Sequence, residues 1–428
     1  MKQLYFLLLM TLVSVNGLHA ECDDSRYKDP IFSTVTVRKD IKFGNNTNSK
    51  GESQDLLLDI YTPPAEDTVQ LRPLIFFVHG GSYIGGDKDD HTIKMMATEM
   101  AKRGYVGVSV QYRLQQSDVE GLDPILAFAD KNNWYKSIGR GVQDVKAAIR
   151  FIKQGVATEG NIYQVDTNNI ILYGSSAGAI TILHTAYMTD LNQATDAMKN
   201  AITQIGGLEG ESGNPGYAST NTVRALVSCS GALADDQWVA NRKDLSLLAF
   251  HHNNDPSVPF RAGCFYTAFC HLGRFHGSYR LANKAEELGV HYELNVIDGV
   301  DHPADDKQPQ LVLDRMVPFL YDLQCQYDPS MPPVATGIIR WEMQALSVYP
   351  NPSRGDISVA FPSTWNSADN LLEVIRIDGQ LVRSQRISGN PGTLSLKLDL
   401  ESGLYLVRIT SINNDEREPL IGKIMIVK

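Results

Sequence analysis

From Leu74 onward, short apolar runs of strand length alternate with longer stretches of helical spacing. That alternation is the pattern of a mostly parallel sheet covered by helices. The runs read as strands are 74–78, 105–110, 170–173, 224–229, 245–250 and 291–297, with 56–61 upstream as an edge strand closed by Pro63-Pro64. Helical spacing covers 92–102, 142–153, 177–188 and 279–288. Two loop-rich insertions, 115–134 and 206–220, interrupt the alternation, and such segments usually top a scaffold and carry specificity.

The pattern changes after Gln326. Asp328-Pro329-Ser330-Met331-Pro332-Pro333 breaks any helix, so 328–343 reads as a linker. Residues 344–428 hold short alternating strands at 357–361, 372–377, 380–387, 394–398, 403–409 and 422–427. Asp378-Gly379 supplies a tight hairpin turn between two of them, because the pair accepts a positive φ. This tail is predicted to be a small β-sandwich.

At the other end, Lys2, the apolar run 4–13 and Leu18-His19-Ala20 have the charged, hydrophobic and small-residue regions of a signal peptide, with cleavage expected after Ala20. The run is about half the ~20 residues that a membrane span needs. The remaining chain divides into 21–327, the linker and the tail. With 428 residues, 43% apolar and 21% charged, it is predicted to be globular rather than disordered or collagenous. Its formal charge of −10, with no basic stripe, argues against nucleic acid and anionic membrane as partners.

Five cysteines follow the leader, an odd number for an exported chain. Cys264 with Cys270 is the expected local bridge, Cys22 with Cys325 would tie together the ends of the main unit, and Cys229 reads as a buried small hydrophobe. No cysteine or histidine spacing points to zinc.

The strand at 170–173 runs straight into Gly174-Ser175-Ser176-Ala177-Gly178 and then into a helix. A G-x-S-x-G in that context is a nucleophile elbow, which lifts the Ser176 hydroxyl above the sheet with the Ala177 amide aimed at the same place. The earlier strand 74–78 ends in His79-Gly80-Gly81-Ser82-Tyr83, where paired glycines let backbone amides approach a substrate and supply further donors to an oxyanion. A serine alcohol needs a base and an orienting carboxylate, and this fold orders them Ser, Asp, His. Asp255 lies on the loop after strand 245–250, and His302 on the loop after strand 291–297. Rivals are His251 and His252, read as packing beside the site, and His184, read as core. Asp235, Asp236, Asp298 and Asp301 are alternative orienting groups.

With these motifs in place, residues 50–326 resemble the α/β-hydrolase superfamily, in particular its HGG-containing esterase and carboxylesterase branch. The resemblance implies an α/β fold with an eight-stranded sheet and hydrolysis through an acyl-enzyme without metal or organic cofactor. It also implies an oxyanion hole made by the amides of Gly81, Ser82 and Ala177. The chain departs from the family pattern at Ser82, where many members have a third glycine, and at Ser175, where Asp or Glu is usual; Asp144 resembles a position that braces the fold.

The tail segments Val348-Tyr349-Pro350-Asn351-Pro352, Ile377-Asp378-Gly379-Gln380, Leu400-Glu401-Ser402-Gly403-Leu404-Tyr405 and Lys423–Lys428 resemble a type IX secretion C-terminal sorting domain. That implies export to the periplasm, then passage across the outer membrane to the surface or medium. The combined expectation is a secreted serine hydrolase acting on a small-molecule or polysaccharide-borne ester, with the type IX machinery as its other partner. A serine peptidase of the same fold and a non-catalytic surface adhesin are the alternatives. For the tail, the rival reading is a carbohydrate-binding sandwich.

Overall fold

The structure is a computed structural model that describes residues 22, 25–116, 130–212, 217, 220, 222–325, 337–342, 346–361, 365, 369–412 and 420–428. The expected signal peptide, most of insertion 115–134, part of insertion 206–220 and most of the linker lie outside these residues.

Strands with apolar side chains on both faces must be covered on both faces, and the central strands have that character. In β3 (Arg72–Val78), Leu74, Phe76 and Val78 join one core while Ile75 and Phe77 join the other. β3 lies in a nine-stranded sheet with β1 (Thr36–Thr47), β2 (Ser53–Thr62), β4 (Val106–Val110), β5 (Val165–Ser175), β6 (Val223–Cys229), β8 (Ser246–His252), β11 (Tyr292–Ile297) and β12 (Gly337–Glu342). The spatial order is β1-β2-β4-β3-β5-β6-β8-β11-β12, antiparallel at β1, β2 and β4 and parallel from β4 onward. Three short strands, β7 (Ala232–Leu233), β9 (Ala262–Gly263) and β10 (Phe275–Gly277), form a separate small sheet beside the site.

Helices α2 (Lys131–Glu159), α3 (Ala177–Tyr187), α4 (Asp196–Thr203) and α5 (Ser278–Leu288) pack on one face of the large sheet, and α1 (His91–Lys102) and α7 (Pro309–Cys325) on the other. The short α6 (Ala304–Lys307) precedes α7.

Three sequence expectations change. Segment 56–61 is not an edge, because β1 pairs outside it. That strand is mostly exposed and polar, with Phe43 its one fully buried apolar residue, so it carries little hydrophobic signal. α2 begins well before residue 142. Gly139 and Gly141, which weaken the helical pattern, sit where a Cβ would meet Ile205 and Thr181 at 2.9 Å, so they permit close packing against the α4 region and α3. Within the expected linker, Gly337–Glu342 pairs in parallel with β11, from Tyr292 opposite Gly337 to Ile297 opposite Glu342, and gives the sheet nine strands rather than eight.

The structure contains disulfides Cys22–Cys325 and Cys264–Cys270, with Cys229 buried and free. The first closes a span of 303 residues and so restricts the unfolded chain strongly. Replacing both of its cysteines by serine is expected to lower stability by about 3 to 5 kcal/mol. Urea midpoints of the two proteins check this.

In the tail, β13 (Ser347–Tyr349), β14 (Asp356–Ala360) and β17 (Thr393–Lys397) form one antiparallel sheet. β15 (Asp369–Arg376), β16 (Leu381–Ser388), β18 (Gly403–Ser411) and β19 (Leu420–Ile426) form the second. Alternate residues, such as Leu372 and Val374 or Tyr405, Val407 and Ile409, point into a core of their own. Gly379 takes φ +91° at the turn between β15 and β16.

Candidate active site

The parallel strands deliver their following loops to one edge of the sheet. β3 and β5 are neighbours, while β4 lies on the far side of β3, so the chain reverses its direction of travel between them. A crevice at the carboxyl ends of strands opens at such a switch point. The loop after β3 and the turn after β5 flank it.

Ser176 sits on that turn at φ 51° and ψ −115°, a left-handed conformation that costs energy for a non-glycine residue. The turn requires small neighbours. A Cβ on Gly174 would lie 2.4 Å from the Gly178 carbonyl oxygen, and one on Gly178 would lie 2.0 Å from that of Val78. The Ser176 amide donates to the Cys229 carbonyl at 2.8 Å, which anchors the turn to β6.

Ser176 Oγ lies 2.6 Å from His302 Nε2, and His302 Nδ1 lies 2.7 Å from Asp255 Oδ2. A carboxylate only accepts, so Nδ1 carries a proton; in the neutral ring this leaves Nε2 to accept from the serine hydroxyl. Asp255 Oδ1 accepts from the amides of Ser257 and Val258 at 2.8 and 2.9 Å. Burial pushes its carboxyl up, but the hydrogen bonds from His251 and His302 outweigh this and hold it well below the usual carboxylate range. Its charge is thereby kept beside the His302 ring.

The loop after β3 folds against this elbow: a Cβ on Gly80 would stand 3.3 Å from both the Ser175 carbonyl oxygen and Ser176 Cβ. Gly81, at φ +104°, tolerates no side chain either, since its Cβ would fall 2.2 Å from the Gly85 carbonyl oxygen. No acceptor among the described residues takes the amide protons of Gly81, Ser82 or Ala177. Buried His79 donates from Nδ1 to the Gly80 carbonyl at 2.8 Å and stacks on Tyr112 with ring centroids 4.3 Å apart. Tyr112 donates to the His79 carbonyl at 3.1 Å. Desolvation lowers the His79 ring to about 4, so it braces the loop as a neutral group.

Among the rivals, His184, Asp236 and Asp298 occupy structural positions. His184 donates from Nδ1 to the Ile180 carbonyl, accepts from the Ala234 amide, and is lowered by burial to about 4. Asp236 is tied to Arg280 and His276, and Asp298 accepts from Asn253. Asp144 forms a buried ion pair with Arg113 and also accepts from the Arg113 amide, which fixes α2 to the chain after β4.

Residues 33–238 match the Carboxylesterase family, and residues 347–424 match the Secretion system C-terminal sorting domain. Gut esterase 1 of Caenorhabditis elegans is 30% identical over 135 residues, which are 30% of this chain and 20% of that protein. Carboxylesterase 3B of Mus musculus is 32% identical over 144 residues, or 33% of this chain and 22% of that protein. The chain thus spans about a fifth of the length of these curated relatives. Among solved structures, the propionate-bound esterase Est2 of Thermogutta terrifontis is 19% identical, with a TM-score of 0.44 over 68% of this chain and 95% of that one. The sorting domain supports a secreted or cell-surface location.

Around this elbow His251 packs beside the site as expected, and the structure adds Tyr266 and Asp305, to which the sequence reading gave no role. His251 Nε2 lies 3.4 Å from Asp255 Oδ2 and donates to the Val258 carbonyl at 3.2 Å, so it supports the acid loop from behind. Tyr266, between the paired cysteines 264 and 270, places its hydroxyl 2.5 Å from Ser82 Oγ while its amide donates to the Ser257 carbonyl. It therefore spans the loops of Asp255 and Ser82. The available signal was the short interval between two cysteines, which marks a constrained loop without saying where it points.

Asp305, fully buried on α6, accepts from Tyr173 Oη at 2.7 Å and from Ser175 Oγ at 2.8 Å. Desolvation raises its carboxyl to about 6, offset in part by those two hydrogen bonds and by the His302 ring. A carboxyl raised on folding stabilises the native state fully below its unfolded value near 4 and loses that contribution as pH climbs through 6. Stability measured against Asp305→Asn is therefore expected to fall by roughly 2 kcal/mol between pH 4 and pH 7. Denaturant titrations of both proteins across that interval check the slope, and parallel curves would contradict it.

Proposed function

We propose that this chain is a secreted or cell-surface serine hydrolase that cleaves carboxylic esters through an acyl-enzyme. The observation that carries the reading is the continuous relay Asp255–His302–Ser176, with links of 2.7 and 2.6 Å, on the strained turn facing the glycine loop. His302 Nε2 takes the hydroxyl proton as Ser176 Oγ attacks the ester carbonyl. The amides of Gly81, Ser82 and Ala177 stabilise the oxyanion, and Asp255 holds the imidazolium. His302 then passes the proton to the leaving alcohol, and water, activated by the same ring, releases the acid.

In this reading residues 1–20 are a cleaved leader, 21–327 the catalytic unit, 328–343 the connection and 344–428 the address for type IX export through the periplasm. The strand Gly337–Glu342 would make the connection partly an extension of the catalytic sheet. The substrate is a small-molecule or polysaccharide-borne ester.

The test is hydrolysis of p-nitrophenyl acetate, butyrate and a longer ester by the mature chain, with a proline-containing peptide substrate alongside. Ester turnover without peptide cleavage is expected. Peptide cleavage alone would move the assignment to a peptidase, and neither activity in folded protein would move it to an adhesin.

A further inference from the structure

Asp305 is not part of the relay, yet its carboxylate joins the two segments that the relay depends on. Its partners Tyr173 and Ser175 belong to β5, the strand that ends at Ser176, and Ser175 is the residue directly before the nucleophile. Asp305 itself follows His302 by three residues, so the loop that carries the base is bonded to the strand that carries the serine. A second bond runs from the Ala304 amide to Ser230 Oγ at 3.2 Å, and Ser230 immediately follows Cys229, whose carbonyl anchors the Ser176 amide. The stretch after His302 is thus fastened to β5 and to the end of β6.

We propose that Asp305 is a positioning residue, which holds the base loop against the nucleophile strand from behind and so maintains the contact between Ser176 and His302. Burying a carboxyl behind the elbow is unfavourable unless it is well hydrogen-bonded, and the structure satisfies it with two hydroxyl donors rather than a cation. The other titratable groups around it are Cys229, whose Sγ contacts Tyr173 Oη at 3.6 Å, and His302. Burial raises both Tyr173 and Cys229 well above their ordinary values, so these two neighbours are neutral, and both oxygens of an ionised Asp305 accept. Cutting the bonds frees the base loop to drift, and a misplacement of about 1 Å in such a contact can cost on the order of a hundredfold in rate.

The inference rests on the proposed serine-hydrolase reading. Its test compares the wild-type chain with Asp305→Ala, Asp305→Asn, Ser175→Ala, the double variant Ser175→Ala/Asp305→Ala, and Ser176→Ala. The readouts are kcat and KM on p-nitrophenyl butyrate, and the rate at which a fluorophosphonate labels the protein. Asp305→Ala is expected to lower kcat and the labelling rate at least tenfold while KM changes less than twofold. Asp305→Asn, which retains hydrogen-bonding capacity, should restore most of the loss, and the double variant should be no slower than Asp305→Ala alone. A folded Asp305→Ala with kcat within twofold of wild type, or additive losses in the double variant, would overturn the role. If Asp305→Ala does not fold, Ser175→Ala decides: a loss of at least threefold in kcat supports the tie, and an unchanged kcat refutes it. An inactive Ser176→Ala beside an unaffected Asp305→Ala removes this inference alone, whereas a fully active Ser176→Ala removes the serine-hydrolase reading and this one with it.

Discussion

Ser176→Ala is expected to lower kcat for ester hydrolysis by roughly four to six orders of magnitude, with KM changed little. In the proposed mechanism the serine oxygen forms the covalent intermediate, so its removal has a large effect. The variant retains the glycine loop and the three amides, so it should still bind ester, and whatever rate survives reports the oxyanion donors acting on water. Folding should be little affected, because Ser176 makes no side-chain cap to α3 and alanine differs only by the hydroxyl. Steady-state kinetics with a melting curve separates the two: a melting temperature near wild type with abolished turnover is the predicted pair.

Asp255→Asn is expected to cost about four orders of magnitude in kcat, nearly as much for a change of one atom. An amide presents both a donor and an acceptor to its surroundings. The amides of Ser257 and Val258 already donate to Oδ1, so the carboxamide oxygen belongs there and its NH2 faces His302 Nδ1. The ring must then accept at Nδ1 and carry its proton on Nε2, where it can no longer take the serine proton. His251, 3.4 Å from Oδ2, faces the same conflict, so this variant should also lose stability. Activity should recover at high pH if deprotonation of the ring or of the serine becomes the route, and a pH profile of kcat tests that directly. A variant within tenfold of wild type would show that Asp255 does not orient the base.

Much of this arrangement was legible in the chain because the parallel strands are apolar throughout and each is followed by a loop with distinctive chemistry. Gly174 and Gly178 marked the elbow, His79-Gly80-Gly81 the facing loop, and the spacing of Asp255 and His302 after successive strands put both on the same edge. Signals failed where packing rather than periodicity decides. β1 is an exposed polar edge, and the glycines of α2 conceal the start of a helix that needs them for close approach. Pro318 lies inside α7 and interrupts a run whose buried face, from Val312 to Tyr321, otherwise has helical spacing.

The supporting groups were hidden for a different reason. Ser175 could be read only as lacking the acid usual at its position, because the carboxylate that meets it comes from residue 305, 130 positions away. Tyr266 likewise reaches Ser82 across 184 positions, and no local pattern records a contact made by two loops that meet only when the sheet is assembled. Side chains that complete a site from a distance are visible in the fold and silent in the sequence.

The central claim, that Ser176 is the nucleophile of an ester hydrolase, is tested most directly by trapping it. The mature chain is incubated with a fluorophosphonate, and the adduct is located by peptide mass spectrometry. The account predicts one stoichiometric adduct on Ser176, loss of p-nitrophenyl butyrate turnover in proportion to labelling, and no adduct in Ser176→Ala. Labelling at another residue, or turnover that persists after Ser176 is fully modified, would contradict it.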